Sequence, residues 1–189
     1  FEVLGVRIRL RLVFHLCSDS FDHEIVQLAR PAFCDHIGYI DTWMGLSPFI
    51  VNQINGPLID IPRVMQNDQP ITTEKEAVDY IARLGQFDKL AATIIEKQTA
   101  DAAQNWLPSK VTLQGAIKYL KGFTRVPAEQ HAFVSVFRDK IEKVESLTPE
   151  QKQSLISQVI AKVSQVVYPA YQSVEKASEQ LLTKARYES

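Results

Sequence analysis

Cysteine is nearly missing from this chain: Cys17 and Cys34 are the only two in 189 residues. Two are too few for a disulfide scaffold, although one bridge between them stays open. They have neither Cys-x-x-Cys spacing nor a second pair with which to hold a metal. Glycine is scarce too, at seven residues. No Gly-x-Ser-x-Gly elbow, phosphate-binding glycine loop or dinucleotide fingerprint occurs, which excludes nucleotide binding by those routes. No run reaches the roughly eighteen consecutive apolar residues of a membrane helix, so no transmembrane span is expected. With a net charge of -1 the chain has no broad basic field for a phosphate backbone, and nucleic acid is not an expected partner. Lysine is absent before Lys75, which sets the opening apart from the rest.

At 46% apolar and 23% charged residues, the chain has the composition of a globular domain with a real core. Residues 1–20 read as an atypical N-terminal segment. Within it Val6, Arg7, Ile8, Arg9, Leu10, Arg11 and Leu12 alternate at strand period, predicting a short edge or detached strand rather than a signal peptide, whose apolar core arginine would interrupt. Cys17 follows Phe14, His15 and Leu16, not the small residues of a lipoprotein signal. A chain opening on Phe1 reads as a processed, trimmed or partial product.

Residues 21–189 read as one all-α domain, an antiparallel array of four or five helices. Phe21, Ile25, Leu28 and Ala29 fall at helical spacing up to Pro31. Between residues 46 and 65, Pro48, Pro57 and Pro62 predict an ordered, extended loop, laid against the helices by its many apolar side chains. Thr73 and Glu76 form a capping box, and apolar residues from Ala77 to Ile95 predict one long helix ending near residues 103–105. Ser109 caps a shorter helix ended by Gly122, and Pro127 opens another, with the stripe Phe133, Val134, Phe137, Ile141 and Val144. Thr148, Pro149, Glu150 and Gln151 start the last helix, with a heptad-like stripe at Leu155, Val159, Val163, Val166, Ala170, Val174, Ala177 and Leu181. Pro169 should kink it.

Catalytic signals fail one by one. His23-Glu24 would need a second histidine at the position held by Gln27, and Cys34, Asp35 and His36 are adjacent residues that point in different directions. Neither marks a metal site or a Cys-His dyad. Lys110, Lys118, Lys121 and Arg125 make a mildly basic patch around Tyr119 and Phe123, read as a solvated helix face that could touch an acidic partner. Asn52, Gln53, Asn55 and Asp60 sit among apolar anchors in the proline-rich segment, where polar groups either line a binding site or tie the segment's own backbone. If the last helix bends at residues 165–169, Tyr168 and Tyr171 are aimed at that segment. The candidate binding residues are therefore Asn52, Asn55, Asp60, Tyr168 and Tyr171.

Pro48-Phe49-Ile50-Val51-Asn52-Gln53-Ile54-Asn55-Gly56-Pro57, then Asp60-Ile61-Pro62 and Ala77-x-x-Tyr80-Ile81-x-Arg83-Leu84, resembles the amino-terminal half of the bacterial "domain of unknown function 885" family. Trp106-Leu107-Pro108, Val167-Tyr168-Pro169-Ala170-Tyr171 and Leu181-Leu182-x-Lys184-Ala185-Arg186 continue the pattern, so the resemblance spans roughly residues 21–189. It implies a helical protein related to zinc metallopeptidases, many of them exported lipoproteins. The family's His-Glu-Gly-x-Pro-Gly-His motif would fall beyond this chain, so zinc is implied for full-length relatives only, and no catalytic or metal residue is carried over. The expected partners are the remainder of the parent polypeptide or a peptide-like ligand. The alternative is a self-sufficient helical module that binds a partner through the heptad-like stripe.

Overall fold

The computed structural model describes residues 50–54 and 56–185; the expected N-terminal strand, the helix from Phe21, both cysteines and Asn55 lie outside them. Seven α-helices succeed one another in the described residues: α1 Pro57–Asn67, α2 Glu74–Leu84, α3 Phe87–Ala103, α4 Lys110–Phe123, α5 Ala132–Ile141, α6 Pro149–Lys162 and α7 Tyr168–Leu182. A π turn, Val163–Val167, joins the last two, and a 3-10 turn, Ala128–Gln130, precedes α5. The protein is all-α over these residues.

Helix starts obey local chemistry. Thr73 and Thr148 each accept from the amide three residues on, while Glu76 and Gln151 reach back to complete capping boxes. Ser109 accepts from the Thr112 amide, and α4 runs one residue beyond Gly122. His131 caps α5 through Nδ1, which accepts from the Phe133 N–H. At the end of α3, Asn105 takes a left-handed conformation (φ 61). The amides of Asn105 and Trp106 then reach back to Ala102 and Asp101, closing the α3 C-terminus as a Schellman turn.

Two expectations need correction. The long helix from Thr73 is two helices, because the chain turns at Gly85 and Gln86 and α3 restarts at Phe87; a residue of low helix propensity sits where the break falls. The proline-rich segment is not extended throughout: from Pro57 onward it is helix α1. Pro57 stands at the first helical position, where no amide is needed, and Pro62 is tolerated inside α1 because the carbonyl it deprives finds other donors.

The α6–π–α7 helix is the spine of the core. Its first half packs on α2 and α5, its second half on α3 and α4, and α1 lies on α5. The π turn divides the two sets of neighbours. It also shifts the buried stripe: Val163 is followed by Val167 rather than Val166, and then by Ala170, Tyr171, Val174, Ser178 and Leu181. Thus Val159, Val163, Val174 and Leu181 are spent inside the monomer and give a partner no surface. Ser178 replaces an apolar residue in the stripe; its hydroxyl donates to the Val174 carbonyl and accepts from Gln98 on α3.

Candidate functional site

One carbonyl of helix α1 takes two hydrogen bonds from the core. In an α-helix the Leu58 carbonyl would accept from the amide of residue 62, but Pro62 has none. Leu58 is buried, so its carbonyl cannot turn to water and needs a partner within the protein. Two tyrosines supply it: Tyr171 Oη donates to the Leu58 oxygen at 2.6 Å and Tyr119 Oη at 3.1 Å. A carbonyl has two lone pairs, so both bonds can form at once.

Three further contacts fix the same helix. Asp60 accepts from the Gly56 amide at 3.0 Å, Arg63 lies 3.8 Å from Asp60, and Lys140 on α5 donates to the carbonyls of Gln66 (2.9 Å) and Gln69 (2.7 Å) near the α1 C-terminus. A cation there complements the helix dipole. Burial pulls the Lys140 ammonium below its usual range, with Asp68 opposing the shift and Lys143 adding to it.

An aromatic cluster surrounds the tyrosine node. Tyr171 is fully buried and stacks on Phe123 with ring centres 3.8 Å apart and planes at 2°; Phe87 lies along another side at 6.2 Å. Phe123 also meets His131 at 4.6 Å and Phe133 at 6.0 Å. Burial, and then the neighbouring Tyr119 hydroxyl, push Tyr171 well above the ordinary phenol range; burial pushes Tyr119 up to about 12. Burial lowers His131 to about 4. At neutral pH both phenols are therefore neutral donors and the imidazole is uncharged. None of the three exchanges a proton near pH 7, which suits positioning rather than acid–base work.

Above this cluster an open groove of about 450 Å³ runs between α1 and α4, with Ile59, Pro62, Tyr119 and Phe123 along it and Arg63 and Gln66 at its edge. The candidate residues from sequence reach different places. Tyr171 meets the proline-rich segment as expected. Tyr168 does not: its hydroxyl donates to the Val126 carbonyl at 2.7 Å, because the π turn sets the two rings on different neighbours. Asn52 accepts from the Ile54 amide at 2.8 Å, and Asp60 caps Gly56, so both are engaged with nearby backbone. Tyr119 is not among the candidates from sequence, where it falls within the basic patch. The signal that points to it is the i−4 rule for Pro62: a buried orphan carbonyl asks for a hydroxyl.

Zinc does not fit the described residues. Among the described residues no three His, Cys, Asp or Glu side chains are placed to hold a metal ion. His131, the one histidine among them, gives Nδ1 to its helix cap inside a shell of rings.

A family model described as "Bacterial protein of unknown function (DUF885)" matches residues 7–189. The chain belongs to this family. The match begins at residue 7 and so takes in most of the atypical opening. Among solved structures, the family member resembles one described as "the putative lipoprotein from Colwellia psychrerythraea", at 71% identity and a TM-score of 0.76. The similarity covers 97% of this chain and 34% of that one, so the chain spans about a third of the length of that relative. No curated protein matches. No helix among the described residues is long and apolar enough to cross a membrane.

Proposed function

We propose that this chain is the non-catalytic N-terminal helical part of a metallopeptidase-like protein, exported or lipoprotein-associated, that forms a wall or lid of a cleft whose zinc site lies outside these residues. The supporting observation is one of proportion: nearly the whole chain aligns to a third of a relative described as a lipoprotein. The anchoring of α1 agrees with the role of a wall. A segment interrupted by proline is fixed by two tyrosine hydroxyls, a lysine and a carboxylate, and it borders a groove open to solvent. Rigid positioning of such a segment is what a cleft wall requires.

Two measurements test the proposal. Isothermal titration of the chain with zinc should show no stoichiometric binding, and the isolated chain should cleave no peptide with zinc added. Tight one-to-one zinc binding would contradict it. Sequencing the parent locus should reveal a reading frame that continues past residue 189 into a His-Glu-Gly motif; a stop codon there would refute the wall reading.

A further inference from the structure

We propose that the face of α4 around Gly122 docks an extended, acidic peptide. The first observation is a pair of glycines. Gly115 and Gly122 are seven residues apart, two turns of α4, and so share one face. Gly115 has a reason within the chain: the Gln53 side chain lies across it, and a Cβ there would stand 2.9 Å from the Gln53 Cδ. Gly122 has ordinary helical backbone, yet a Cβ there would meet nothing within 4 Å among the described residues. Glycine weakens a helix relative to alanine, and at Gly122, in the last turn of α4, no contact among the described residues calls for it. A segment laid over Gly122, as the Gln53 side chain is laid over Gly115, would use that space.

Beside Gly122 on the α7 side is an open groove of about 520 Å³, with Ile117 and Leu182 for its floor and Lys118, Lys121 and Arg125 along its edge. Lys121 is already held by Glu179 at 2.8 Å and faces Glu175 at 3.8 Å. Lys118 and Arg125 carry no ion pair among the described residues, and both are exposed. An apolar floor under two open cations selects an apolar side chain flanked by carboxylates. An extended chain advances about 3.3 Å per residue and turns alternate side chains to opposite faces, so carboxylates four positions apart, about 13 Å, flank a central apolar side chain on one face and come within reach of the long Lys118 and Arg125 side chains, whose backbones stand about 10 Å apart. Two open cations in a chain of net charge -1 are too few to hold a phosphate backbone, which favours the peptide. Gly122 also borders the groove between α1 and α4, but the proposal does not depend on the cleft reading above.

Fluorescence anisotropy on the full chain tests it with three labelled hexapeptides. One is Glu-Gly-Leu-Gly-Glu-Ser; the others carry glutamine or lysine in place of both glutamates. The glutamate peptide should bind, weaken as salt is added, and exceed the glutamine peptide by about tenfold or more, a difference well within reach of two charge contacts. Lys118→Glu with Arg125→Glu should abolish that preference. Gly122→Leu should also abolish binding while far-UV circular dichroism and Tm show the fold intact. Equal binding of the glutamate and glutamine peptides, tighter binding of the lysine peptide, no binding of any of them, or glutamate binding that survives Gly122→Leu would each overturn the proposal.

Discussion

Two helices of this protein are interrupted by proline, and they resolve the interruption in opposite ways. In α1, Pro62 deprives Leu58, whose carbonyl lies in the interior; in the spine, Pro169 deprives Gln165, which is exposed. At the buried position the missing donor is replaced by hydroxyls from two other helices, Tyr119 on α4 and Tyr171 on α7. At the exposed position the chain adjusts itself: Val163–Val167 widens to a π turn, and the Tyr168 amide reaches back five residues to the Val163 carbonyl. Burial decides between the two. An unpaired carbonyl in the interior must be answered by the protein, whereas at the surface a local change of helical pitch, with water at hand, is enough. The two solutions are also linked, because Tyr171, which answers Pro62, sits two residues past Pro169.

The contrast is broken most severely by removing both hydroxyls. Tyr119→Phe with Tyr171→Phe leaves the Leu58 carbonyl buried and unpaired, and chemical denaturation should show a loss on the order of 2–3 kcal/mol. Tyr171→Phe alone should cost about 1 kcal/mol, since Tyr119 still donates to the same oxygen. A full-sized loss from the single variant would mean that Tyr119 contributes nothing.

The next test concerns pH. His131 has its pKa lowered to about 4 by burial against an ordinary value of 6.5. Between these values the unfolded chain binds the proton and the folded chain does not, so stability falls as pH drops from about 6.5 to 4 and this contribution levels off below. His131→Asn keeps a capping side chain at the start of α5. The Tm difference between the wild type and this variant should therefore shift in the variant's favour across that window. An unchanged difference would place the imidazole in contact with water.

The smallest effect is expected at the exposed proline. Pro169→Ala should change stability by less than about 1 kcal/mol, because the π turn and solvent already accommodate the missing amide. A gain approaching the roughly 3 kcal/mol cost of proline in a regular helix interior would show that the π turn is strained by it.

How far the sequence foretells all this depends on the range of the interaction. Capping boxes at Thr73 and Thr148 and the cap at Ser109 are local, three residues wide, and they stand where their residue types predict. Pro57 and Pro62 mislead because a proline's local cost argues against helix, while the donors that answer the Leu58 carbonyl lie 61 and 113 residues further along the chain. The break at Gly85 leaves no mark on the apolar periodicity, which continues into α3 through Phe87 and Leu90. Tyr171 reaches the proline-rich segment as the kink suggests. Tyr168 does not, because a π turn adds a residue to the helix and rotates every side chain after it, and that register change depends on the packing of α6 and α7 against different neighbours. Asn52 and Asp60 have the residue type of ligand contacts, and equally that of backbone caps; only the geometry tells these apart.

The central claim is that the hydroxyl of Tyr171 stands in for the amide that Pro62 lacks. A double-mutant cycle tests it directly, with unfolding free energies measured for the wild type, Pro62→Ala, Tyr171→Phe and the pair. Alanine restores an amide able to donate to the Leu58 carbonyl, so Tyr171→Phe should cost about 1 kcal/mol beside Pro62 and markedly less beside alanine, a coupling of the size expected for groups sharing one acceptor. Strict additivity of the two substitutions would contradict the claim.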